Sequence, residues 1–252
     1  MHFKVADEYQ YLKPELMDVI RNFDQSGKLL VHGNRNSIRK IKINGHRLAI
    51  KSFKLPNFFN RFVYRFLRKS KARRSYEYGQ KLLEEGILTP QPVAWIEERR
   101  LFTLGNSFYI CKRLKKHFTF RELVNNRNHE NWEEIIRAFT AFTHKLHTKG
   151  ILFLDHSPGN TLIKKSAKGK WKFYLIDLNR MKFKKLSEKE KINNFSSLSA
   201  PPEMLEIIAK EYAKLEGWPI EQTITKFKVA DQYFRLKRKN KKQIKKLLLK
   251  GG

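Results

Sequence analysis

Four side chains in this sequence have the types and spacing for one reaction. Asp155 and, five residues on, Asn160 stand between two apolar runs in ILFLDHSPGNTLIKK, which starts at Ile151. Asp177 closes the run Phe173-Tyr174-Leu175-Ile176, and Lys51 closes Leu48-Ala49-Ile50 far upstream. A carboxylate can accept the proton of a hydroxyl. Hard oxygen donors suit Mg2+, which binds through a few carboxylates together with phosphate and water. The set fits phosphoryl transfer, in which a carboxylate takes the proton of the acceptor and oxygen ligands hold Mg2+ against nucleotide phosphates. Taken singly, Asp155 and Asn160 read as turn residues and Lys51 as an exposed strand lysine. Their occurrence together, in this order, carries the reading.

These side chains need elements to position them. Lys28 to Ile43 alternates as a strand, a polar turn and a second strand; Asn44-Gly45 is a hairpin turn, and His46 to Phe53 forms a third strand ending at Lys51. The first turn, Gly33-Asn34-Arg35-Asn36-Ser37, keeps one glycine; Gly33 and Asn34 are candidates to meet nucleotide phosphates, with a solvated hairpin turn as the plain alternative. Pro56 to Arg74 mixes aromatic and basic residues at helical spacing, suited either to packing or to an anionic membrane surface. The helix continues to Glu85 and carries Glu77, the candidate ion-pair partner for Lys51; a pair with a neighbouring arginine is the alternative. Gly86 ends it, a strand covers Val93 to Glu97, and a hairpin turning at Gly105-Asn106 follows. Asn131 caps a helix over Trp132 to Lys149 that points Ile135, Ile136, Phe139, Phe142 and Leu146 inward. Pro158-Gly159 makes a tight turn that returns Asn160 towards Asp155. His144 and His147 lack carboxylate or cysteine company and read as packing or surface residues, not metal ligands.

Composition narrows the partners. The 252 residues carry a formal charge of +30 and 40% hydrophobic content, enough for a real core and a field that attracts polyanions. Nucleic acid, an acidic membrane surface and anionic glycolipid are the candidates; no nucleic-acid motif is visible, so no specific nucleic acid is expected. The single cysteine, Cys111, excludes an internal disulfide and any cysteine-rich metal site. The N-terminus does not read as a secretory signal and no run reaches spanning length, so a cytoplasmic protein is expected. Lys226 to Lys250 strings cations among apolar residues, reading either as a terminal helix with one packed face or as a segment that engages anionic lipid.

Leu48-Ala49-Ile50-Lys51, Glu77, Asp155-His156-Ser157-Pro158-Gly159-Asn160 and Ile176-Asp177-Leu178-Asn179-Arg180 together resemble the lipopolysaccharide core kinase (Kdo/WaaP) family, within the protein-kinase-like superfamily. The resemblance implies an α+β, bilobal protein-kinase-like fold: a small antiparallel sheet lobe with one main helix and a larger, mainly helical lobe. With the reading of the chain, the expected division is an N-terminal extension at 1–27, the small lobe at 28–114, the large lobe at 115–225 and a basic amphipathic segment at 226–252. It implies transfer of the ATP γ-phosphate, with Mg2+, to a Kdo or heptose hydroxyl of the lipid A-linked inner core. Lys51, oriented by Glu77, would hold phosphates, Asp155 would be the base, and Asn160 and Asp177 would bind the metal. The implied place is the inner face of the inner membrane of a Gram-negative bacterium, in contact with an anionic glycolipid acceptor. Phe153-Leu154 stand where protein kinases carry His-Arg, and only Ala200-Pro201-Pro202-Glu203 echoes their Ala-Pro-Glu sequence, so a protein acceptor is poorly supported. Two other readings stay open: a phosphotransferase acting on a small soluble acceptor, and a basic pseudokinase that binds polyanions.

Overall fold

Alternating apolar residues build the first part of the chain into a sheet. The computed structural model describes residues 1–33, 36–54, 68–99 and 104–250. They form two units: Met1–Lys116 with Leu175–Arg180, and His117–Tyr174 with Met181–Gly252. In the first unit β1 (His2–Val5), β2 (Lys28–His32), β3 (Asn36–Ile43), β4 (His46–Phe53), β5 (Pro92–Arg99) and β6 (Leu104–Lys112) form an antiparallel sheet in the order β1-β5-β6-β4-β3-β2. Asn44 and Gly45 have φ of 43° and 80°, as a two-residue hairpin turn requires, and set the register Ile43 to His46. That register places Lys51 opposite Ile38 on one side and Tyr109 on the other. Leu48 and Ile50 point to one face of β4, and Ala49, Lys51 and Phe53 to the other.

Helix α1 (Lys13–Arg21) opens with Pro14 in its first turn and buries Leu16, Val19 and Ile20 in one core with Leu48, Ile50 and Ile110. Phe23 follows and packs on Phe108, ring centroids 5.2 Å apart. Residues 1–27 belong to this sheet unit: β1 pairs with β5, and the apolar spacing from Val5 to Ile20 needs a partner surface. Helix α2 (Lys71–Glu84) is capped by Ser70, whose side chain accepts from the Arg73 N–H, and ends before Gly86 at φ 67°. The aromatic, basic stretch at 55–67 lies outside the described residues. Gly105 and Asn106, expected as a turn, sit inside β6 beside an irregularity in the pairing with β5. A Cβ on Gly105 would lie 2.8 Å from the Glu98 carbonyl oxygen, so the glycine serves a close strand approach.

In the second unit β7 (Phe118–Thr119), α3 (Phe120–Asn125) and α4 (Trp132–Thr148) lead to β8 (Ile151–Phe153). Next come β9 (Thr161–Lys165), β10 (Trp171–Leu175), β11 (Met181–Phe183), α5 (Glu188–Ser196), α6 (Pro202–Glu216) and α7 (Ile220–Lys250). Two small sheets, β10-β9-β7 and β11-β8, lie among the helices. Phe120 stacks on Phe139 at 4.1 Å, and Phe195, Tyr212 and Phe227 complete a core in which each large apolar side chain contributes about 1.5–3 kcal/mol. Asn131 precedes α4 as expected, but with φ 63° and no side-chain cap; its carbonyl accepts from Ile135 N–H. Helix α7 begins six residues before the basic segment, because Ile224 and Phe227 are core residues. Among the described residues no helix is long and apolar enough to cross a membrane.

Candidate active site

The sheet unit holds Lys51 and Asp177 as a pair. Lys51 Nζ lies 2.6 Å from Asp177 Oδ1 and 5.2 Å from the Phe53 ring centroid. Asp177 reaches this place because the chain leaves the helical unit after Tyr174, runs through Leu175–Arg180 in the sheet unit, and returns at Met181. Leu175 anchors the excursion: its N–H donates to Leu88 O at 3.0 Å, and its carbonyl accepts from Thr89 Oγ1 at 2.8 Å. Leu178 is buried, and a Cβ on Gly79 of α2 would meet its Cδ1 at 3.4 Å and Pro92 Cγ at 2.7 Å. A glycine is needed there for α2 to approach. Asp177 has φ 60°, a left-handed conformation that Asp tolerates better than most residues and that recurs where backbone strain is tied to function. Asn179, 6% exposed, donates from Nδ2 to the same Oδ1 at 2.6 Å.

Glu77 was expected beside Lys51, but the structure gives it other partners. Its carboxylate takes Lys69 Nζ at 2.7 Å and Arg73 Nε at 2.8 Å, the latter one helical turn away. Burial works against ionisation here, yet the hydrogen bonds from Lys69 and Arg73 outweigh it and hold the carboxyl below its ordinary value. Both oxygens are thus engaged by cations closer in sequence, while Lys51 is neutralised by Asp177. Gly33 N–H donates to Asn36 O at 3.0 Å and closes the β2–β3 connection; Asn34 lies outside the described residues. Burial pushes the Cys111 thiol up to about 12, which suits a packing residue.

Asp155 and Asn160 share one loop of the helical unit. Buried β8 leads into it, and a single turn of 3-10 helix, Pro158–Asn160, folds it back. Asn160 Nδ2 donates to the Asp155 backbone carbonyl at 2.8 Å, and Ser157 N–H donates to the same oxygen at 2.6 Å. With its amide nitrogen used this way, Asn160 keeps its side-chain oxygen, a hard donor of the kind Mg2+ accepts. Among the described residues no three His, Cys, Asp or Glu side chains gather as a metal cluster. A metal on these residues would lean on phosphate and water for the rest of its shell, as Mg2+ commonly does.

Further residues position this loop that reading the sequence did not single out. Asn194 of α5 donates to Phe153 O at 2.8 Å, and Ser197 Oγ donates to His156 O at 2.6 Å. Behind them, His147 Nε2 lies 3.1 Å from Asn194 Oδ1 and Nδ1 lies 2.8 Å from Tyr212 OH. Since Asn194 spends its amide on Phe153, its oxygen must accept, so His147 carries its proton on Nε2. Tyr212 OH is 3.2 Å from Glu216 Oε1, which Lys191 Nζ also approaches at 2.7 Å. Burial lowers His147 to about 4 and keeps it neutral. His156 is fully buried among Phe139, Phe153 and Phe195, with no hydrogen-bond partner for either ring nitrogen among the described residues, and burial lowers it to about 3. It is a packing residue that fixes the loop. The sequence signal for Asn194 was a polar residue on the apolar face of a short helix, and for Asn179 a polar residue two positions after the site aspartate.

No curated protein matches the chain. Among solved structures it is similar to one described as WaaP in complex with acyl carrier protein, with a TM-score of 0.66 and 13% identity over 95% of this chain and 99% of that one. Likeness at that identity speaks for the fold, which is protein-kinase-like and bilobal as expected. The model of the lipopolysaccharide kinase (Kdo/WaaP) family matches residues 54–216, a span that includes Glu77, Asp155, Asn160 and Asp177 and begins just after Lys51. A match over well more than half of the sequence shows that the chain belongs to the lipopolysaccharide kinase (Kdo/WaaP) family.

Proposed function

We propose that this protein transfers the γ-phosphate of ATP, with Mg2+, to a hydroxyl of a Kdo or heptose residue in the lipopolysaccharide inner core. The observation that carries the reading is Asp177, set in a left-handed backbone with Lys51 and Asn179 both on Oδ1. Such an arrangement presents a carboxylate oriented by a cation and an amide, as a metal ligand needs. Bound Mg2+ and ATP supply the transferable phosphoryl group and neutralise its charge. Lys51 would hold phosphate oxygens, and Asp177 and the side-chain oxygen of Asn160 are the groups that would hold the metal. Asp155 accepts the proton of the sugar hydroxyl. Its loop is held by the Asn160, Asn194 and Ser197 side chains, so the base is positioned before the acceptor arrives. Family membership supports a lipopolysaccharide acceptor, and such an acceptor would have the enzyme work at the inner face of the inner membrane.

The test is incubation with ATP, Mg2+ and lipid A bearing Kdo, beside an Asp155→Asn variant, reading glycolipid mass and ADP release. A phosphate mass gain that disappears in the variant supports the reading and Asp155 as base. Asp155-dependent ADP release without that gain moves the acceptor to heptose or a soluble alcohol. Absence of nucleotide binding favours a polyanion-binding protein.

A further inference from the structure

Helix α7 (Ile220–Lys250) carries apolar residues on two opposite faces. Ile224 and Phe227 lie on the inner one, with Phe227 ring centroids 5.4 Å from Phe195 and 6.0 Å from Tyr212. At about 100° per residue, Val229, Tyr233, Leu236 and Ile244 fall in one arc on the other side of the helix. They are 59, 66, 56 and 57% exposed. The positions that share this arc, Gln232, Asn240 and Gln243, are uncharged. Cations border it: Lys237 and Lys241 on one flank and Lys239 on the other, all exposed. Lys226, at the edge of the arc in the first turns, is paired with Glu188 at 2.5 Å.

The remaining cations nearer the core have local partners. Arg235 bonds Asp231 at 2.5 Å and Ala200 O at 2.8 Å, and Arg238 bonds Ser199 Oγ at 3.2 Å. Residues 226–250 carry eleven lysines and arginines against the single acid Asp231. A second copy of the chain laid along this stripe would bring two such rows of like charge together, which disfavours a homodimer through it. An anionic bilayer satisfies both chemistries, with apolar side chains at the acyl boundary and ammonium groups among the phosphates. Tyrosine and long-stemmed lysines suit that boundary, since each has an apolar body and a polar tip.

We infer that the outer face of α7 seats the protein on an anionic lipid surface, with Val229, Tyr233, Leu236 and Ile244 entering the headgroup boundary and Lys237, Lys239 and Lys241 meeting lipid phosphates. This contact needs neither ATP nor acceptor, so it stands or falls apart from the reaction proposed above.

The full chain is sedimented with phosphatidylglycerol–phosphatidylcholine vesicles and with phosphatidylcholine vesicles alone, at a fixed salt concentration. The wild type partitions onto the anionic vesicles and not the neutral ones. Combined Tyr233→Ser, Leu236→Ser and Ile244→Ser substitutions, which leave the charge unchanged, lower partitioning by about tenfold or more. The melting temperature stays unchanged, because the three side chains are exposed. Replacing Lys237, Lys239 and Lys241 by glutamine removes the preference for anionic lipid. Wild-type chain that ignores anionic vesicles overturns the inference, as does a serine variant that binds them equally well. A wild-type dimer that the serine substitutions dissociate would also overturn it and assign the stripe to a contact between copies.

Discussion

Lys51 and Glu77 separate what a residue type suggests from what its neighbours allow. A helix glutamate between sequence-near cations pairs locally, and Glu77 does so with Lys69 and Arg73. Its carboxylate is partly exposed, so removing the charge is expected to have little effect. Glu77→Gln should change ADP release by less than about fivefold and stability by less than about 1 kcal/mol. Lys51→Met should lower kcat/KM for ATP by about a hundredfold or more, because it removes the ammonium group proposed to face phosphate. Steady-state ADP release at varied ATP compares the two directly; equal losses would return Glu77 to the role of orienting Lys51. Asn179→Leu tests the other contact on Asp177 Oδ1. With the amide gone, the Mg2+ concentration for half-maximal activity should rise several-fold while the fold persists.

At the scale of elements, the loop that carries Asp155 and Asn160 is set by a helix that follows it in sequence. Asn194 of α5 bridges the Phe153 carbonyl and His147, so a change there reaches Asp155 without touching a substrate. Asn194→Leu leaves the Phe153 carbonyl without its donor and His147 Nε2–H without its acceptor. It should cost about 1–3 kcal/mol in urea unfolding at unchanged m. If the loop is positioned through this bond, kcat falls while KM for ATP stays near wild type. A stability loss with unchanged kcat would make Asn194 purely structural.

For the whole molecule, His147 and His156 make stability depend on pH. Both are buried and neutral, lowered from 6.5 to about 4 and about 3. The unfolded chain binds more protons than the folded one between those values and 6.5. The contribution is therefore complete above pH 6.5 and is lost as pH falls towards 4 for His147 and towards 3 for His156. Each ring contributes on the order of 3 kcal/mol. The urea midpoint should fall steadily from pH 7 to pH 4, and His147→Gln should flatten the upper part of that fall. An unchanged pH profile in the variant would mean that other groups carry the dependence.

Local rules in the sequence determined the elements and the site residue types. Asn44-Gly45 can turn a hairpin because both residues accept positive φ, and that turn sets the register that places Lys51. The apolar period of α4, the Pro158-Gly159 turn and the polar residues following two apolar strands were legible for the same reason: each depends on residues close in sequence. What depended on distant residues was not. Residues 1–27 became part of the sheet unit because β5 offers an edge and α1 an apolar face to cover. Gly105-Asn106 lies within β6, where the Glu98 backbone comes too close for a side chain at 105, a contact with a residue on another strand. Only the tertiary structure decided that Lys51 pairs with Asp177 and that Asn179 and Asn194 hold the site. A charge or an amide takes whichever complementary group the fold brings nearest, and composition does not specify that group.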